Sequence, residues 1–227
     1  MFKNRKVAGV QLASKLKRLV DEKIKSGPLM VVALPRGGVP VAREIAEALD
    51  ADLTILVAKK IAAPFQSELA LGAVTASGVT VMNEELRYAV DGIDRYVAIE
   101  RRPVLEAALE LERRWRSEAG IADRYNIKNK SVVLVDDGVA TGMTTLAALR
   151  CLGASGAREL ILATPVIAKR ALNLLKPECV EIVALKTPND FNAVSDFYED
   201  FHQVEEDEMI CCLKEFRSLA LDKVETG

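Results

Sequence analysis

The chain has 227 residues, half of them hydrophobic, with 31 Lys and Arg set against 33 Asp and Glu for a formal charge of −2. That composition suits a globular protein able to bury a full core, and it excludes a general electrostatic pull toward nucleic acid or an anionic lipid surface. Any anion this protein binds is caught locally, by a few placed groups.

The opening Met1-Phe2-Lys3-Asn4-Arg5-Lys6 is basic, but Lys15, Lys17 and Arg18 interrupt the segment where an export signal would be uninterruptedly apolar. An organellar transit peptide shares this basic, amphipathic character; Leu12, Leu16 and Leu19 at helical spacing predict instead a first helix covering a core. Five short apolar segments follow, at 29–34, 53–58, 131–136, 159–164 and 180–185, each the length of a buried strand. None approaches the roughly 20 residues of a membrane helix. Amphipathic segments at 39–49, 144–152 and 168–175 follow three of them. This alternation predicts an α/β fold, with a mostly parallel central sheet and helices on both faces.

Between the second and third strands, residues 72–81 carry two β-prone runs around Ser77-Gly78 and predict a hairpin. Residues 93–118 read as a charged helix that Pro103 either starts or kinks; Glu100, Glu106, Glu110 and Glu112 balance its arginines, as on a solvated face, and Trp115 is assigned to packing. The stretch 190–208 is acidic, and Phe191, Phe197, Tyr198 and Phe201 within it predict that it packs onto the body of the protein. His202, the one histidine, is read there as a partly packed surface residue. Cysteines at 151, 179, 211 and 212 form no C-x-x-C pair and, with one histidine, no zinc set, so a reduced, cytoplasmic chain is expected; Cys211 and Cys212 sit at the core and rim of a last helix.

The most informative window is Val132-Val133-Leu134-Val135-Asp136-Asp137-Gly138-Val139-Ala140-Thr141-Gly142-Met143-Thr144-Thr145. A buried strand ends in two acids, and a Gly-bounded loop then opens a helix. Free backbone N–H groups, hydroxyl donors and the positive end of the helix dipole suit a phosphate there, while carboxylates at the strand end accept hydrogen bonds from a sugar diol or hold a hydrated Mg²⁺. The spacing from Gly138 to Gly142 is too short for a P-loop, no Lys follows Gly142, and no strand is followed by G-x-G-x-x-G. After the first strand comes a second loop, Pro35-Arg36-Gly37-Gly38, whose glycines let the backbone approach a bulky anion and whose arginine offers a charge-assisted fork. Alone it signals only a turn. On parallel strands both loops would lie at carboxyl ends, where open α/β sheets bind ligands across a topological switch point. A third element, Lys59-Lys60-Ile61-Ala62-Ala63-Pro64-Phe65-Gln66-Ser67-Glu68, follows the second strand; a lysine there, Lys60 preferred, can neutralise a departing pyrophosphate, and the residues after it can form a lid.

The 132–145 window resembles the PRPP-binding signature of the type I phosphoribosyltransferases, and the whole chain is similar to a little-characterised bacterial and archaeal group of them. The resemblance implies a single domain over 1–227 with that family's fold, and a small variable hood drawn from 61–125 and 187–227. It implies that Asp136 and Asp137 hold the ribose hydroxyls. Gly138, Ala140, Thr141, Gly142, Met143, Thr144 and Thr145 would form the 5′-phosphate loop. Arg36, Gly37 and Gly38 would take the pyrophosphate, and Lys60 would cover the leaving group. Mg²⁺ would arrive mainly on PRPP, with Asp136 or Asp137 as its candidate protein ligand. The partners implied are PRPP and a small nitrogenous base, without nucleic acid or membrane; a homo-oligomer is left open. Ala140 stands where 6-oxopurine transferases carry a base-contacting Asp, which argues against hypoxanthine and guanine; adenine transferases carry Ala-Thr-Gly, as here. Two other activities fit the same loops: a regulatory protein that binds PRPP or a nucleotide without transfer, and a sugar-phosphate or nucleotide hydrolase.

Overall fold

The computed structural model describes residues 1–23, 27–64, 66–89, 92–122 and 126–225. At its centre lies a five-stranded sheet in the order β2-β1-β6-β7-β8, formed by β1 (Leu29–Ala33), β2 (Asp52–Ile55), β6 (Ser131–Val135), β7 (Glu159–Val166) and β8 (Glu181–Lys186). Every pairing in it is parallel. The five strands expected from the apolar segments are thus all present, and the α/β class is as read from their alternation with helices.

Strand periodicity explains the layers, because successive side chains point to opposite faces. Val31 and Ala33 of β1, with Val133 and Val135 of β6, face a core shared with α1 (Arg5–Lys23), α2 (Gly38–Leu49), α4 (Ile93–Ala119) and α7 (Glu206–Glu225). Met30 and Val32, with Val132 and Leu134, face the other core, built with α5 (Met143–Ala154) and α6 (Lys169–Leu175). The Leu12 and Leu16 stripe that predicted the first helix is fully buried in the former.

A second, antiparallel sheet, β3-β4-β5, is made by β3 (Ala58–Ala63), β4 (Gln66–Thr75) and β5 (Thr80–Met82). The turn at Ser77-Gly78 joins β4 to β5 as expected. The structure corrects the reading of 59–68, however: Lys59 and Lys60 lie inside β3, not at the end of the second strand, and pair with Val74 and Ala73 of β4. Local pattern could not show this, because Lys59 and Lys60 gain their ladder partners from residues more than ten positions away; Phe65 of the expected lid lies outside the described residues. This small sheet packs between α5 and α4, with the short α3 (Glu84–Ala89) beside α4.

Pro103 falls in the interior of α4. That helix also departs from a purely solvated face, since Arg116 is 1% exposed and forms an ion pair with Glu112 at 3.3 Å. Arg116 donates to Thr54 Oγ1 and to the carbonyls of Ile55 and Ala122, while Glu112 accepts the Val57 N–H at 2.7 Å. The pair satisfies backbone groups where β2 leaves the central sheet for β3, which fixes the crossover leading to Lys60.

Candidate active site

The chain places β2 on one side of β1 and β6 on the other, so the strand order reverses between β1 and β6. A crevice opens at the carboxyl ends of such a pair. Register brings Ala33 opposite Val135, and the Leu34 N–H donates to the Val135 carbonyl at 2.8 Å, so the two loops leave the sheet side by side.

They touch. A β-carbon on Gly37 would stand 2.0 Å from Asp137 Oδ2, and one on Gly38 would stand 2.8 Å from the Val135 carbonyl oxygen. The Pro35-Arg36-Gly37-Gly38 and Asp136-Asp137-Gly138 segments, 100 positions apart in sequence, therefore share one wall, and only glycine permits the approach. Arg36 stands at the rim, its guanidinium 3.5 Å from Glu205 Oε2 in an exposed pair that contributes little.

Beyond the acids, Val139 is anchored by its N–H to the Val166 carbonyl at 2.9 Å, and its own carbonyl accepts from the Ala168 N–H. This leaves Ala140 and Thr141 exposed on the turn. Gly142 caps α5 with φ +80°, a left-handed conformation that glycine takes without strain, and it offers no side chain to the first helical turn. The backbone N–H groups of the α5 N-terminus are thus free of side-chain capping and carry the positive end of the dipole. Thr144 is partly exposed beside them, whereas Thr145 is 1% exposed and its hydroxyl has no hydrogen-bond partner among the described residues. Met143 and Thr145 therefore offer a phosphate their backbone rather than their side chains.

The acids differ in surroundings. Asp136 Oδ1 accepts the Asp137 N–H at 2.9 Å, and burial, with the Asp137 charge adding to it, pushes the Asp136 carboxyl well above its usual 3.8. Asp137 is held by Arg5 Nε at 2.7 Å, with the two side chains only 14% and 8% exposed. Arg5 also donates to the His202 carbonyl at 2.7 Å, and its guanidinium lies 3.9 Å from the Phe201 ring centroid. The Tyr198 hydroxyl donates to the Asp137 carbonyl at 2.6 Å; burial, with the nearby Asp137 charge, pushes the phenol up, which keeps its proton in place. Val194 packs over Gly138. The aromatic acidic stretch thus packs onto the body as expected, and it does so at the acids. His202 itself is exposed and bonded to Asp200 and Glu208.

Sequence reasoning missed Arg5, Tyr198 and Val194. Their signal is tertiary, with Arg5 reaching Asp137 across 132 positions. Lys60 lies in β3 of the small sheet and on neither of the two loops. Its ladder partner Ala73 belongs to the core packed on α5, so Lys60 projects from the α5 side of that sheet. For a metal, no cluster of three or more His, Cys, Asp or Glu side chains exists among the described residues. Two adjacent carboxylates suit a largely hydrated Mg²⁺ shared with phosphate oxygens, not an all-protein cage.

Comparison with known proteins shows the family and the fold. The sequence pattern of a family described as the phosphoribosyl transferase domain matches residues 6–202. A Mycobacterium tuberculosis protein provisionally named a phosphoribosyl transferase is 37% identical over 215 residues, covering 94% of this chain. The chain spans about half, 46%, of that relative's length. The crystal structure of TT1426 from Thermus thermophilus superposes with a TM-score of 0.77 at 35% identity, covering 95% of this chain and 99% of that one. A Neisseria gonorrhoeae protein solved with bound ppGpp shares the fold at a TM-score of 0.50 and 14% identity, over 95% of this chain and 97% of its own.

Proposed function

This chain belongs to the phosphoribosyl transferase family, and from that premise we propose that it transfers the phosphoribosyl group of PRPP to a nitrogenous base with release of pyrophosphate. The contact of Gly37 with Asp137 carries the reading: it sets an anion-binding loop and a diol-binding acid pair against each other at the switch point of the sheet. A nitrogen of the base attacks the anomeric carbon, the bond from that carbon to the pyrophosphate oxygen breaks with the electron pair leaving on pyrophosphate, and the nitrogen gives up its proton to solvent water.

The transition state resembles a ribosyl cation leaving a polyanion, so preorganised charge does most of the work. Asp136 and Asp137 accept hydrogen bonds from the ribose hydroxyls, and the Asp137 carboxylate, held by Arg5, places negative charge near the cationic ring. The 5′-phosphate sits on the backbone N–H groups between Ala140 and Thr145, with the hydroxyls of Thr141 and Thr144 beside them, while Gly138 and Gly142 shape the turn. Arg36, Gly37 and Gly38 receive the pyrophosphate, and Lys60 adds positive charge over the leaving group. Mg²⁺, carried on PRPP, would neutralise phosphate oxygens, with Asp136 or Asp137 as the protein-side ligand. The acceptor base is open: Ala140 at the turn disfavours 6-oxopurines. A cytoplasmic location belongs to this proposal; among the described residues no helix is long and apolar enough to cross a membrane.

The test is pyrophosphate release from PRPP and Mg²⁺ across a panel of bases. Release stimulated by one base is expected, and Asp136→Asn and Asp137→Asn should each lower turnover by about 10²-fold or more while the protein stays folded. PRPP binding without turnover on any base would replace transfer with a regulatory role, and PRPP breakdown with water as sole acceptor would make it a hydrolase.

A further inference from the structure

Asp137 is the residue on which the two loops converge, and its carboxylate does not stand alone. Its Oδ2 takes a 2.7 Å hydrogen bond from Arg5 Nε. Arg5 opens α1, and Asn4 caps that helix, its Oδ1 accepting the Val7 N–H at 2.9 Å. The strand-like segment before the cap is tied to the tail. Phe2 bridges Tyr198, with the Phe2 N–H donating to the Phe197 carbonyl at 2.7 Å and the Glu199 N–H to the Phe2 carbonyl at 2.8 Å. Phe2, Tyr198 and Phe201 pack in turn as tilted ring pairs, 5.3 and 5.0 Å between centroids. The guanidinium of Arg5 thus has three fixed contacts: the Asp137 carboxylate, the His202 carbonyl and the face of Phe201.

This set of contacts differs from an ordinary surface pair. Arg5 is buried, its hydrogen bonds diverge to two elements, and the planar fork fits both only in one orientation. Gly37 closes the arrangement from the other loop, its absent β-carbon leaving room for Asp137 Oδ2 and standing 3.1 Å from Arg5 Nε.

We propose that Arg5 is a positioning residue for the phosphoribosyl donor: it fixes one oxygen of Asp137 so that the other is presented to the ribose hydroxyls, and it ties that presentation to the 197–202 segment. Arg5 touches no substrate. Its effect falls on the ribose end of the ligand, and pyrophosphate, received by Arg36, Gly37 and Gly38 with Lys60 over it, feels it little. This inference rests on the phosphoribosyl transfer reading above and assigns a further residue to the same site.

The experiment is calorimetric titration of the full chain with Mg²⁺–PRPP and, separately, with Mg²⁺–pyrophosphate, for wild type, Arg5→Ala, Arg5→Lys, Asp137→Asn and the double variant Arg5→Ala/Asp137→Asn. Arg5→Ala should weaken PRPP binding by about tenfold or more while leaving pyrophosphate within about twofold. Arg5→Lys, which keeps the charge but lacks the two-way fork, should recover part of the loss; it carries the same comparison if the alanine variant does not fold. In the Asp137→Asn background, loss of Arg5 should add less than about twofold, since the two act as one unit. PRPP affinity unchanged in Arg5→Ala, equal weakening of both ligands, or additive losses in the double variant would each overturn the inference. A wild-type protein that binds pyrophosphate but not PRPP would instead overturn the transfer reading, and this inference with it.

Discussion

Replacing Gly37 by alanine perturbs the site through a single methyl group. The N-cap backbone at Gly37, φ −63° and ψ −28°, is right-handed helical, so alanine enters without backbone strain. Its β-carbon would stand 2.0 Å from Asp137 Oδ2, and the carboxylate must retreat by about 1.4 Å to reach ordinary contact. A retreat of that size breaks the 2.7 Å bond to Arg5 or swings the whole carboxylate away from the crevice. Hydrogen bonds to a charged group contribute about 1.5–3 kcal/mol, so losing the ribose contacts should weaken PRPP binding by roughly 10- to 150-fold. Disturbing the partly buried ion pair should destabilise the fold by about 1–3 kcal/mol, well short of unfolding it. Calorimetry with Mg²⁺–PRPP, alongside thermal melting, measures both. PRPP affinity within about twofold of wild type would show that the loops do not meet over the ribose, and would refute the reasoning.

Three further outcomes follow from individual contacts. A β-carbon on Gly138 would stand 2.2 Å from Val194 Cγ1, so Gly138→Ala should cost about 1–3 kcal/mol in denaturant unfolding, and Val194→Ala in the same chain should restore part of it; no rescue would place the clash elsewhere. Glu112→Ala removes one partner of the buried Arg116 pair and should cost about 3–5 kcal/mol, read as a lowered melting temperature; a change under about 1 kcal/mol would show that the pair does not hold the β2–β3 crossover. His202, bonded first to Glu208 and then to Asp200, should titrate above its ordinary 6.5, and as the one histidine it gives a single imidazole signal by NMR. Its raised value means that the small stabilisation is full below 6.5 and fades as pH rises past the folded-state midpoint; Glu208→Gln should move that midpoint down, and an unmoved midpoint would remove the contact.

The strands and both loops were legible because their signals are local. Residues 132–135 are apolar without alternation, as a strand buried on both faces must be, and Asp136-Asp137-Gly138 marks where burial ends. Gly37-Gly38 announced a close approach without saying to what. By contrast, Arg5 belongs to a short basic run, and nothing in Lys3-Asn4-Arg5-Lys6 distinguishes the residue that turns inward from those that stay in water. In sequence Arg116 is one charge among many on α4, yet it is buried and donates to the Ile55 carbonyl at the end of β2 and to the Ala122 carbonyl. Lys60 reads as the end of the second strand, and its place inside β3 is hidden because a strand in an antiparallel sheet with a β-bulge between Ile61 and Ala63 shows only weak alternation. Each of these depends on a partner distant in sequence, which periodicity does not encode.

The central claim is that two loops grip opposite ends of one activated pentose phosphate, and competition binding tests it most directly. Pyrophosphate and ribose 5-phosphate should each displace PRPP from the Mg²⁺-containing protein, and the two should bind together without displacing one another. If either fragment fails to compete with PRPP, or if the two exclude each other, the loops do not form the divided site described here.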